Sequence, residues 1–124
     1  MKPRLDHVGL DVSDYETSKV FYEKVLAPLG MQLLMEPVAD VGGFGADFPL
    51  FWIGKRDRGP DSGVHVAFTA ENRESVDAFH AAALEAGATD NGGPGLREIY
   101  HPDYYGAFVL DPDGNNVEAV CHHA

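Results

Sequence analysis

The strongest constraint on this chain is that it repeats itself. Residues 5–12 (LDHVGLDV) and 63–70 (GVHVAFTA) are short alternating segments, each followed by a helix-forming stretch. His7 to His65 is an offset of 58 residues, and the same offset lays Val8 on Val66, Phe21 on Phe79 and Leu26 on Leu84. Leu29-Gly30 meets Ala86-Gly87 at an offset of 57. At 124 residues the chain has the length of one domain with one proper core. The expectation is therefore a single domain over 1–124, with module one at about 1–55 and module two at about 63–124.

Within each module the periods change in the same order. In 5–12, Val8, Leu10 and Val12 form one row, opposite His7, Gly9 and Asp11. Ser13, with Glu16 three residues on, reads as a capping box opening a helix whose apolar stripe is Phe21, Tyr22, Val25, Leu26 and Leu29. Pro28 and Gly30 stop it. In 63–70, Val64, Val66 and Phe68 oppose His65, Ala67 and Thr69. A second helix starts near Asn72, with Val76, Phe79, Ala83 and Leu84 inward and Gly87 as its stop. Further strands are expected at about 31–38, 42–47 and 49–53, then at about 96–100, 106–110 and 115–121. Segments 54–62 and 90–95 read as loops, and Asp111-Pro112-Asp113-Gly114 as a tight turn. A strand, a helix and three strands, twice over, make an α+β fold.

Composition narrows the function classes. Nine Lys and Arg against twenty Asp and Glu give a formal charge of −11. That field repels phosphate backbones and anionic lipid, so neither nucleic acid nor membrane is an expected partner. Cys121 is the only cysteine, which excludes an intrachain disulfide and fits a reducing compartment. The start, MKPRLDHV, has no apolar signal-peptide core, and no apolar run approaches the roughly 20 residues of a membrane span. The expected location is the cytoplasm.

The chemistry lies on the polar rows. In 115–121, Val117, Ala119 and Cys121 are the apolar row and Glu118 stands opposite, with Asn116 and Val120. His7, His65 and Glu118 thus each sit away from the row that packs under a helix. The small residues Gly9 and Ala67 beside the histidines leave room for a ligand. Two imidazoles and a carboxylate are a borderline set that zinc, nickel, iron(II), manganese or cobalt accept, so a divalent metal is the expected cofactor. The segment Arg97 to Tyr105 gathers an imidazole (His101), a guanidinium (Arg97) and the phenols of Tyr100, Tyr104 and Tyr105. His101 and Tyr105 are candidate acid–base or orienting groups alongside Glu118. Arg97, Tyr100, Tyr104 and Trp52 are candidate substrate contacts.

Taken together, Leu5-Asp6-His7-Val8-Gly9-Leu10, Val64-His65-Val66-Ala67-Phe68 and Asp111-Pro112-Asp113-Gly114-Asn115-Asn116-Val117-Glu118 give the chain a resemblance to the vicinal oxygen chelate superfamily. That superfamily includes glyoxalase I, bleomycin-resistance proteins, fosfomycin-resistance enzymes and extradiol dioxygenases. The resemblance implies two βαβββ modules with mixed sheets curled into a cup. It also implies a metal on the cup's inner surface held by His7, His65 and Glu118, and a homodimer.

The departures shape the expected function. Glyoxalase I has a further ligand carboxylate on the last strand of module one, where this chain has Phe51 or Trp52. Extradiol dioxygenases place a Tyr where this chain has Phe108, and fosfomycin-resistance enzymes need more cationic groups than this second half offers, Arg97 aside. The leading expectation is a metal-dependent glyoxalase-like enzyme, of lyase or isomerase type, acting on a small molecule chelated through vicinal oxygens. The alternatives are a metal-free protein that sequesters a small molecule, as bleomycin-resistance proteins do, and an extradiol-type dioxygenase.

Overall fold

A computed structural model describes residues 2–124. Module one runs β1 (Val8–Asp11), α1 (Tyr15–Leu26), a 3₁₀ turn (Ala27–Leu29), β2 (Gln32–Met35), β3 (Val41–Gly45) and β4 (Phe51–Gly54). Module two runs β5 (His65–Thr69), α2 (Arg73–Glu85), β6 (Thr89–Leu96), β7 (Tyr105–Leu110) and β8 (Asn116–Cys121). The two sheets are wired identically, β1-β4-β3-β2 and β5-β8-β7-β6. In each, the first and last strands pair in parallel and the others antiparallel. The repeat in the sequence is thus a repeat of mixed sheets, each with a crossover helix.

Local chemistry explains the helix ends. Asp14, not Ser13, caps α1, accepting from the Thr17 amide at 3.0 Å. Its carboxyl is held below the usual range by that bond, while the Ser13 amide donates instead to Asp113. Asn72 caps α2 by accepting from the Ser75 amide at 2.8 Å. Gly30 takes a left-handed φ of 79° where the first helix stops.

Both helices and both sheets share one core. Leu10, Phe51 and Ile53 from the first sheet join Phe68, Val109 and Val117 from the second, under Phe21, Val25, Val76 and Phe79. The Phe51 and Phe68 rings meet edge to face at 5.2 Å across the two halves. Asp111, nearly buried, is a second join. It accepts from the Tyr22 hydroxyl of α1 at 2.5 Å and from the Asn115 amide at 2.9 Å. Asn115 in turn accepts from the Val64 amide and donates to the Asp61 carbonyl. The expected turn is therefore also a polar junction between the halves.

Besides the Ser13 cap, two local expectations fail. The Gly-rich segment 90–95, read as a loop, is most of β6, while 97–100, read as a strand, turns. Gly and Pro are depleted in strands, but β6 is an edge strand, where Pro94 breaks no ladder. Its pairing with β7 slips twice, and Gly92 sits at φ 145°. Leu84, expected inward, is exposed, and His80 takes the inner place, bonded to Asp90 of β6 at 2.9 Å. No helix is long and apolar enough to cross a membrane among the described residues.

Candidate functional site

Each sheet sends its apolar row toward its helix and keeps an open face. On the open face of module two, β8 lies between β5 and β7, with Glu118 opposite Ala67 on one side and Phe108 on the other. Its side chain is only 1% exposed. A buried carboxylate must be fully partnered to be tolerated, and here both oxygens are. The Oε1 atom lies 2.8 Å from Nε2 of the half-exposed His65, and Oε2 accepts from the Tyr104 hydroxyl. Burial, then the bond to Glu118, raises the Tyr104 pKa and keeps the phenol protonated as a donor. Gly106 makes the room: a Cβ there would stand 3.2 Å from both Glu118 Oε2 and the Tyr104 ring.

The donor chemistry of His65 and Glu118 fits a divalent ion. Their 2.8 Å separation is near the roughly 3 Å edge between neighbouring ligands that lie 2.0–2.2 Å from one metal. His7, the third expected ligand, is not brought to them. It precedes β1, lies more than half exposed, and bonds through Nδ1 to Asp6 at 2.7 Å. Among the described residues, no three His, Cys, Asp or Glu side chains come together as donors for one ion.

The segment before β7 divides by side. Tyr104 points to Glu118, whereas Tyr105, its neighbour, faces α2, donating to Asp77 at 2.6 Å beneath the Arg73 guanidinium. Strand alternation makes this unavoidable, so the structure does not bring Tyr105 to the site. Arg97 lies over the Phe108 ring at 5.4 Å and donates to the Gly93 carbonyl, and Phe108 stands 6.1 Å from the His65 ring. The exposed Tyr100 ring packs on Tyr104 at 4.8 Å.

His101 reaches Tyr104 only by its ring, edge-on at 5.5 Å. Its Nδ1 accepts from the Asp103 amide, which assigns the proton to Nε2, donated to His122 Nδ1 at 2.9 Å. His122, next to the end of β8, completes this aromatic group. No sequence signal marks it, because its place depends on β8 ending beside the turn at 101.

Module one presents a different face. Its register sets Gly9 opposite Trp52, as Ala67 is opposite Glu118, so Trp52 is the counterpart of Glu118. The indole lies against Gly43, where a Cβ would stand 2.9 Å from the ring, and donates to the Pro49 carbonyl. Beside it, Asp11 is nearly buried and holds Arg56 and Arg58 through their Nε atoms, Arg56 at 3.3 Å. The sequence reading missed these arginines, which lie in the segment read as a loop.

The protein-family model described as Glyoxalase/Bleomycin resistance protein/Dioxygenase superfamily matches residues 4–119. Among solved structures, a glyoxalase/bleomycin resistance protein from Albidiferax ferrireducens T118 is 30% identical, with 94% of this chain and 96% of that one covered, at a TM-score of 0.82. A glyoxalase/bleomycin resistance protein/dioxygenase family enzyme from Burkholderia phytofirmans PsJN is 21% identical over 97% and 99%, at 0.73. A lactoylglutathione lyase from Agrobacterium tumefaciens is 16% identical over 97% and 94%, at 0.70; these two show the fold alone. A search of the curated proteins found no match. With a family model spanning nearly its whole length, this chain belongs to the glyoxalase/bleomycin resistance protein/dioxygenase superfamily.

Proposed function

We propose that the protein is a metal-dependent, glyoxalase-like enzyme of lyase or isomerase type, and that its metal site is shared between two copies of the chain. The observation that carries this reading is the buried Glu118 with His65 Nε2 at 2.8 Å from its Oε1. His7 of a second copy would supply the third donor. Its exposed imidazole, bonded among the described residues only to its neighbour Asp6, supports that assignment. A divalent ion held there would supply Lewis-acid chemistry to a small oxygen-bearing substrate.

The chain's own residues do the rest. Tyr104 donates to Oε2 and holds the Glu118 carboxylate in one orientation. Glu118, the only carboxylate at this position in either module, would be the base, taking a substrate proton on Oε2, the oxygen that Tyr104 orients. Arg97, laid over Phe108, borders the same face and can hold an anionic oxygen of the substrate. Catechol dioxygenation is the weaker reading, since Phe108, directly opposite Glu118, offers a phenyl ring in place of a donor hydroxyl.

Metal analysis of untagged protein, with thermal shifts on adding nickel, zinc, manganese and iron(II), tests the metal. No bound ion and no shift would sink the proposal. Complementation tests the sharing. If His7→Ala and Glu118→Ala chains are refolded together, random pairing leaves about one quarter of the wild-type sites intact. A mixture that binds no ion would mean that His7 and Glu118 do not meet across two copies, and undiminished binding by His7→Ala chains alone would place His7 outside the site.

A further inference from the structure

We propose that the open face of module one is a binding site for a small organic anion with a flat ring, gripped by Arg56 and Arg58 and laid on Trp52. It shares His7 with the proposed metal site but needs no metal, since its grip comes from Arg56, Arg58 and Trp52. The cavity, about 360 Å³, is bordered by Trp52, Arg56, Arg58, Asp11 and His7, and that volume is in the range of small-ligand pockets.

Two of the nine basic residues in a chain of charge −11 converge here. Each arginine side chain is well exposed, 62% for Arg56 and 69% for Arg58, yet both are tied to the single Asp11 side chain, which is 6% exposed. One buried carboxylate thus anchors two guanidiniums, while Asp61, which accepts from the Asp11 amide at 2.7 Å, adds a second negative charge near Arg58. Asp11 takes the Nε side of each arginine, and among the described residues the terminal amino groups have no hydrogen-bond partner. Those groups are the fork that holds a carboxylate or a phosphoryl group in paired hydrogen bonds.

The indole adds the second half of the selection. Its N–H is spent on the Pro49 carbonyl, so what it offers a ligand is a carbon face, pinned by contact with Gly43. Carboxylates and phosphonates share the chemistry the arginines recognise, and a ring beside the anion is what the indole recognises.

Trp52 is the only tryptophan, so its fluorescence reports on this cavity alone. Metal-stripped protein is titrated with benzoate, phenylphosphonate, benzamide and benzylammonium. Saturable quenching by one or both anions is expected below about 10 mM, with none from the neutral or cationic rings; which anion binds tighter separates carboxylate from phosphoryl recognition. Arg56→Gln and Arg58→Gln, both at exposed positions and checked by thermal melting, should each weaken anion binding about tenfold or more. Flat titrations with both anions, equal quenching by benzylammonium, or unchanged affinity in both variants would overturn the proposal. Because no metal is present, none of these results depends on the site at Glu118.

Discussion

Trp52 and Glu118 occupy the same place in two copies of one unit, and nearly everything that distinguishes the two faces follows from that pair. In module two the central position carries a carboxylate, and its surroundings are built to partner it: His65 on one oxygen, Tyr104 on the other, and Gly106 clearing the space. In module one the same position carries an indole. There the clearing glycine is Gly43, under a ring, and the nearby carboxylate, Asp11, is bound by Arg56 and Arg58. One backbone plan thus yields a face centred on a buried carboxylate and an aromatic, guanidinium-lined face. A duplicated fold specifies where a site stands; the side chain at one register position decides which charge it receives.

The largest expected effect that can break this comparison comes from Glu118→Ala. It should abolish divalent-ion binding in calorimetry, by at least about 100-fold, and leave His65 and Tyr104 unpartnered. Trp52→Ala should leave ion affinity within about threefold. Equal losses in the two variants would mean the faces are not functionally distinct. Next in size is Gly43→Ala, which drives a methyl to within 2.9 Å of the Trp52 ring and should cost about 1–3 kcal/mol in denaturant unfolding. A neutral result would mean that the indole is not pinned.

Tyr104→Phe sharpens the picture of module two. Removing the hydroxyl leaves a buried carboxylate oxygen without a donor, a cost of about 1–3 kcal/mol, and should weaken ion binding about tenfold. His101→Ala should change ion affinity less than twofold, because His101 meets Tyr104 only through its ring. A larger loss would move His101 into the site.

The smallest effect probes the junction between the halves. Burial, then the charge of Asp111, holds the Tyr22 phenol well above its ordinary value of 10.0. A raised pKa contributes stability that is fully present below the unfolded value, near pH 10. The contribution is lost as the pH climbs toward the folded value, since the unfolded chain then holds fewer protons. The wild-type protein should therefore lose stability above about pH 10. Tyr22→Phe should flatten that alkaline limb while costing about 1 kcal/mol at neutral pH. An unchanged alkaline slope would show that Tyr22 does not carry it.

The periodicity of this sequence was enough to determine the repeat, both crossover helices and the polar rows, because alternation and helical stripes are local properties of the chain. His65 and Glu118 could be named as a pair from those rows alone. It misplaced β6, where glycines that signal a loop are held straight by an edge pairing with β7, and it could not place Tyr104 and Tyr105 on opposite sides without knowing where that strand begins. The exact counterpart of Glu118 was ambiguous between Phe51 and Trp52 until register chose Trp52. The guanidiniums on Asp11, the His101–His122 bond and the separation of His7 from His65 and Glu118 were decided only by tertiary structure. Each depends on contacts between segments tens of residues apart, and such contacts follow from how strands pair and cores close, not from any pattern a local window carries.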